Sequence, residues 1–135
     1  MNVVEIDPDS AVRLIDILME PMRKEFFQHH LMLIYTGMSR TAYDVAKSQI
    51  ESIPQKEQVM REFQDVVSEA NKILADTGDL NDFGRLLHES WLLKKNISNK
   101  ITTCVVDDMY EKAIGAGALG GKLLGAGGGG FMIFT

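Results

Sequence analysis

Gly120-Gly121-Lys122-Leu123-Leu124-Gly125-Ala126-Gly127-Gly128-Gly129-Gly130-Phe131-Met132-Ile133-Phe134 sets a run of glycine between two short apolar segments, and this pattern decides the fold. Nine of the chain's twelve glycines lie from Gly115 to Gly130. Glycine reaches positive φ without steric cost but loses the most backbone entropy on folding, so such a density implies a tight turn or a close backbone approach. The stretch therefore predicts a strand, a glycine loop and a strand.

Working outward, Val3, Val4 and Ile6 predict a short strand ended by Pro8. A helical pattern from Ser10 places Val12, Ile15, Leu18 and Met19 on one face, with Pro21 breaking or kinking it. Leu31 to Tyr35 is an apolar run closed by Thr36-Gly37, which predicts a central strand buried on both faces. Past Gly37 the period turns helical. Ser39 is a candidate cap for a helix carrying Tyr43, Ala46, Ile50 and Ile53, ended by Pro54. A second runs from about Lys56 to Asp76, with Val59, Phe63, Val66, Val67, Ala70, Ile73 and Leu74 inward and Gly78 past its end. Asp79 starts a third, with Asp82 as a weak capping box and Phe83, Leu86, Leu87, Ser90 and Trp91 inward. Thr102 or Thr103 starts a fourth, with Val106, Met109, Tyr110 and Ala113 facing in. Helices in a run with a few separated strands predict an α+β domain, its helices on one face of a small, mainly antiparallel sheet. Ending in an apolar strand, the chain reads as part of something longer or as one that borrows strands from a partner.

At 135 residues, 45% hydrophobic and 24% charged, the chain suits one domain with a single core. A net charge of −5 and scattered basic residues argue against a nucleic-acid partner. Cys104 is the sole cysteine, so no intrachain disulfide forms. The start, Met1 to Asp9, has three acids and no signal-like apolar run, which predicts a cytoplasmic protein.

The glycine segment admits several readings. Gly125 to Gly130 matches the G-x-G-x-x-G dinucleotide pattern, but strand rather than helix follows it. A Walker loop before Lys122 has Ala116 in place of its first glycine and Leu123 in place of its Ser or Thr. From Ala113 to Phe134 the only charge is Lys122, and Gly117, Gly121, Gly125 and Gly129 fall at small-xxx-small spacing. Four successive glycines and that lysine make a poor membrane span. Two readings stay open: a hairpin whose glycines only permit tight packing, and a loop whose amides surround an anion or meet a neighbouring phosphate loop.

Gly121 to Phe131 resembles the third conserved motif of the GHMP kinases. Leu33-Ile34-Tyr35-Thr36-Gly37-Met38-Ser39-Arg40-Thr41-Ala42 and Leu86-Leu87-His88-Glu89-Ser90-Trp91-Leu92-Leu93-Lys94-Lys95 are similar to the C-terminal half of the same family, especially its heptose-phosphate branch. The resemblance implies a ferredoxin-like α+β C-terminal domain, residues 1–135, lacking a closing helix and strand. ATP and the acceptor alcohol would meet in the cleft against an N-terminal domain. The family's Gly-Leu-Gly-Ser-Ser phosphate loop, its catalytic aspartate and the partner lysine have no counterpart here. ATP and Mg2+ would therefore be held mainly by the N-terminal domain, with no catalytic residue in this chain and the segment inactive alone. Gly125, Ala126, Gly127, Gly128, Gly129 and Gly130 would support the ATP site from the opposite domain. Thr36, Ser39 and Arg40 would face a sugar or sugar-phosphate acceptor, with Arg40 the guanidinium fork suited to a phosphate, although a surface arginine is the competing reading. An alternative function is a stand-alone binding or assembly module that keeps the fold and forms a homodimer.

The other reactive residues point to structure. His29, His30 and His88 lack partners at metal-ligand spacing, Cys104 reads as a packing residue, Trp91 as core, and Glu57 with Arg61 as a helix-face pair.

Overall fold

The computed structural model describes residues 1–38 and 42–135, with the side chains of residues 42–44 outside the description. Two strands, β1 (Asn2–Ile6) and β2 (Val12–Asp16), form an antiparallel hairpin. After α1 (Pro21–His29) come β3 (Met32–Tyr35), α2 (Ala42–Ser52), a 3-10 turn at Ile53–Gln55, α3 (Glu57–Ala75), α4 (Asn81–Lys95) and α5 (Cys104–Gly115). The chain closes with β4 (Gly121–Leu123) and β5 (Phe131–Phe134). A second antiparallel sheet has the order β3-β5-β4, so the two strands flanking the glycines pair with each other and β5 also pairs with β3. This is the α+β arrangement that the glycine stretch predicts.

Leu123, Met132 and Phe134 from this sheet pack with Trp91 of α4, Val106 and Tyr110 of α5, Val45 of α2 and Ile101. At β4 the alternation Gly121, Lys122, Leu123 turns Leu123 into this core and Lys122 away from it. Helix α4 sits close on β4 because two glycines meet. A Cβ on Gly120 would overlap the carbonyl oxygen of Gly84, and one on Gly84 would lie 2.8 Å from Leu119 Cβ. Thr103 caps α5, its Oγ1 accepting from the Val106 amide at 3.3 Å. Arg23 of α1 donates to the carbonyls of Ile73 and Gly78 at 2.9 and 2.8 Å, tying α1 to the end of α3.

Several expectations need correction. Residues 12–16 form strand β2 rather than helix, because Asp7 to Ala11 makes a turn, with Ser10 at φ 67°, that folds the segment back on β1. Pro21 starts α1 instead of breaking a helix, for its missing N–H costs nothing in a first turn that Glu20 caps. Strand β3 is an edge, with Met32, Leu33 and Tyr35 exposed, and β5 holds the centre. Among the described side chains of α2, Val45 is buried and Ile50 is exposed, while Tyr43 lies outside the described side chains. Val67 of α3 is exposed as well. Cys104, at the first turn of α5, is exposed rather than packed. The proposed Ser39 cap lies outside the described residues.

The glycine contact between α4 and β4 generates a test. Gly120→Ala should destabilise the chain by about 3 kcal/mol through overpacking, while Gly115→Ala, with nothing near its Cβ, should be neutral or stabilising by a few tenths of a kcal/mol. Urea unfolding midpoints measure both, and equal midpoints would contradict the close approach.

Candidate functional site

The loop between β4 and β5 does not hold itself. Its ladder stops at the bond from the Leu124 amide to the Phe131 carbonyl, 2.8 Å, and the six residues beyond are held by other elements. Past β3, Thr36 pairs with Gly130: its amide donates to the Gly130 carbonyl at 2.8 Å, and its hydroxyl lies 2.9 Å from that oxygen and 3.1 Å from the Gly130 amide. The Gly130 amide also donates to the Met38 carbonyl at 2.8 Å. Between α4 and α5, the Ile101 carbonyl accepts from the Gly128 amide at 2.8 Å. From α2, Gln49 Nε2 donates to the Ala126 carbonyl. From α4, Lys94 Nζ donates to the carbonyls of Leu123 and Gly125 at 2.8 and 2.6 Å.

These bonds sort the loop's polar groups. Carbonyls of Leu123, Gly125, Ala126 and Gly130 are drawn to the protein, as are the amides of Gly128 and Gly130. Among the described residues the amides of Gly125, Ala126, Gly127 and Gly129 have no acceptor. Five of the six loop positions have positive φ, Gly125 at 67°, Gly127 at 122°, Gly128 at 76°, Gly129 at 156° and Gly130 at 101°, with Ala126 alone outside that region. Successive amides left free in such a path form a concavity suited to negative charge or to carbonyls of another segment.

Lys94 has a cost attached. Burial, and secondarily the charge of Lys122, push its pKa down to about 8, and burial also lowers that of Lys122. Nothing in the motif that contains Lys94 assigns it a role. The signal available was a lysine three residues after the core tryptophan Trp91, at a spacing that keeps it on the inward side of α4.

Of the predicted substrate residues, Thr36 is buried, and its hydroxyl serves Gly130 and Met38. Ser39 and Arg40 lie outside the described residues. His88 Nδ1 meets the Tyr110 hydroxyl at 2.6 Å, a contact inside the fold, and Trp91 is fully buried. Glu57 and Arg61 form the expected pair at 2.7 Å. Among the described residues no three His, Cys, Asp or Glu side chains cluster as metal ligands, and no helix is long and apolar enough to cross a membrane.

With this geometry in hand, comparison with known proteins defines the class. Residues 66–135 match the family model described as GHMP kinases C terminal, and the chain belongs to that family. It is 33% identical over 107 residues to the D-glycero-alpha-D-manno-heptose 7-phosphate kinase of Campylobacter jejuni, across 76% of this chain and 31% of the relative. In fold it is similar to Leishmania major mevalonate kinase, solved with R-mevalonate, with a TM-score of 0.80 and 19% identity over 98% of this chain and 39% of that one. It also resembles Lactococcus lactis galactokinase, solved with galactose, with a TM-score of 0.57 and 17% identity over 98% of this chain and 42% of the other. The chain thus spans about a third of the length of the curated relative it matches.

Two outcomes test the site. Gly129→Ala places a Cβ 2.8 Å from the Met38 carbonyl oxygen at φ 156° and should cost about 3 kcal/mol or more. Gly125→Ala meets nothing within 4 Å and should cost only the backbone strain, about 1 kcal/mol. Thermal or urea unfolding distinguishes them, and equal losses would contradict the described loop path.

The second outcome concerns pH. In the unfolded chain Lys94 keeps its proton to about 10.5, while in the folded chain it releases it near 8. Between these values the unfolded state holds more protons, so stability rises with pH across that window. Urea midpoints of the wild type, taken relative to Lys94→Met, should therefore climb from pH 8 to pH 10. A flat or falling difference would show Lys94 to be an ordinary lysine.

Proposed function

We propose that residues 1–135 are the C-terminal domain of an ATP-dependent kinase that phosphorylates a hydroxyl of a sugar or sugar phosphate, of the heptose-phosphate kind. The observation that carries this reading is the sorting of the glycine loop, with carbonyls and two amides bound inward and the amides of Gly125, Ala126, Gly127 and Gly129 without an acceptor among the described residues. In phosphoryl transfer a protein mainly positions the reactants and offsets charge on the transferred group. Bound ATP supplies the phosphoryl group, and Mg2+ offsets its charge. Both would be held mainly by an N-terminal domain, and this chain alone would be inactive.

The free amides of residues 125–130 then brace the phosphate loop across the domain cleft. Thr36 acts by fixing the Gly130 end of that brace, while Ser39 and Arg40, three and four residues on, receive the acceptor. Arg40 binds the sugar's phosphate through its planar fork. The named activity of the Campylobacter relative supports the choice of acceptor. Apolar exposure on β1 and β2, including Ile6 and Leu14 at 70% each, supports burial against the rest of a larger kinase, which accounts for that surface without a homodimer. An ATP-consuming sugar kinase of this type belongs in the cytoplasm.

In the full-length protein containing this chain, ATP should be consumed on addition of a heptose 7-phosphate. Arg40→Lys should raise KM for the sugar phosphate about tenfold, leaving KM for ATP within about twofold, as expected for loss of one bidentate contact. A folded protein that phosphorylates no sugar or sugar phosphate would overturn the proposal.

A further inference from the structure

We infer that the cleft between α3 and α4 binds a small apolar monocarboxylate, with the Lys122 ammonium receiving the carboxylate. This cleft, of about 230 Å³, shares no residue with the loop 125–130. Its walls are apolar, formed by Phe63, Val66 and Ala70 of α3 and by Phe83 and Leu87 of α4. Three polar side chains join the lining: Asn71, Ser90 and Lys122.

Lys122 is the feature that demands a partner. A partly buried ammonium is normally met by a carboxylate, since hydroxyls alone leave its charge uncompensated. Here Nζ donates to Ser90 Oγ at 2.9 Å, and Ser90 is itself buried. Among the described residues, no acid lies within ion-pair distance of Lys122. Lys94, on the same helix as Ser90, adds a second positive charge that is likewise bound only to neutral groups. An apolar pocket with a few convergent polar groups at one place is the usual form of a small-molecule site.

The chemistry narrows the ligand. One ammonium, one hydroxyl and one amide match the two oxygens of a carboxylate, and the walls offer nothing to the remaining oxygens of a phosphate. The adjoining groove shares Val66 and Leu86 with the cleft and carries Glu62, Asp65, Glu69 and Glu89 against the single cation Lys72, itself paired with Glu69, a net negative field that disfavours dianions more than monoanions. The modest volume suits an aliphatic chain of about eight carbons or one aromatic ring.

The test uses the full native chain titrated with sodium octanoate, followed by calorimetry and by amide chemical shifts of α3 and α4. Neutral 1-octanol and inorganic phosphate serve as comparison ligands. Octanoate should bind saturably and shift amides near Ala70 and Leu87. Lys122→Met, which keeps the stem and removes the charge, should weaken it at least tenfold, and Ala70→Trp, which fills the cleft and leaves Lys122 intact, should abolish it. Circular dichroism checks the fold of both variants, and either one alone suffices if the other does not fold. Octanol or phosphate binding as tightly as octanoate would overturn the inference, as would undiminished binding to a folded variant or no saturable binding at all. Kinase assays play no part in this readout, so its failure is separate from that of the proposed function.

Discussion

The pairing of Thr36 with Gly130 is the constraint on which the site rests. Residues 94 positions apart share three bonds through two backbone amides, one hydroxyl and one carbonyl, and these join the edge strand β3 to the end of the glycine loop. Without them β5 would still pair with β4, but the loop would have no reason to stop where it does. Met38, Gln49, Lys94 and Ile101 add their bonds to a loop whose far end is already fixed. Glycine makes the loop's positive-φ path accessible, and the surrounding elements select it from the paths that glycine allows.

This arrangement has an energetic logic. Unpaired amides cost little where they reach water or a partner, whereas buried carbonyls without donors cost about 1–3 kcal/mol each. The fold spends its donors on the loop's carbonyls, to the point of drawing in a lysine whose charge burial disfavours. What is left over is a row of N–H groups, the part of a backbone that favours anions. A self-contained hairpin would have paired those amides internally.

Much of this was legible in the residues. Glycine density between two apolar segments predicts the strand, loop and strand, and the long periodic segments predict α3 nearly to both of its ends and the starts of α4 and α5 closely. Local signals failed where tertiary contacts decide. Val12 and Ile15 fit a helical face as well as a strand, and only the turn at Ser10 and pairing with β1 select the strand. The run Leu31 to Tyr35 looks like a buried central strand because apolar content does not reveal which edges are paired; the order β3-β5-β4 does. Thr36 reads as a polar residue after a strand, and nothing local indicates that its hydroxyl is used up on a residue so distant in sequence. Spacing from Trp91 places Lys94 on the inward side of α4, but not its partners, which are backbone carbonyls that carry no side-chain signature.

Residue-resolved amide hydrogen exchange across Gly125 to Gly130 tests the central claim most directly. Slow exchange at Gly128 and Gly130 with fast exchange at Gly125, Ala126, Gly127 and Gly129 is the predicted pattern. Uniform protection of all six amides would show a closed, self-bonded turn and contradict the account.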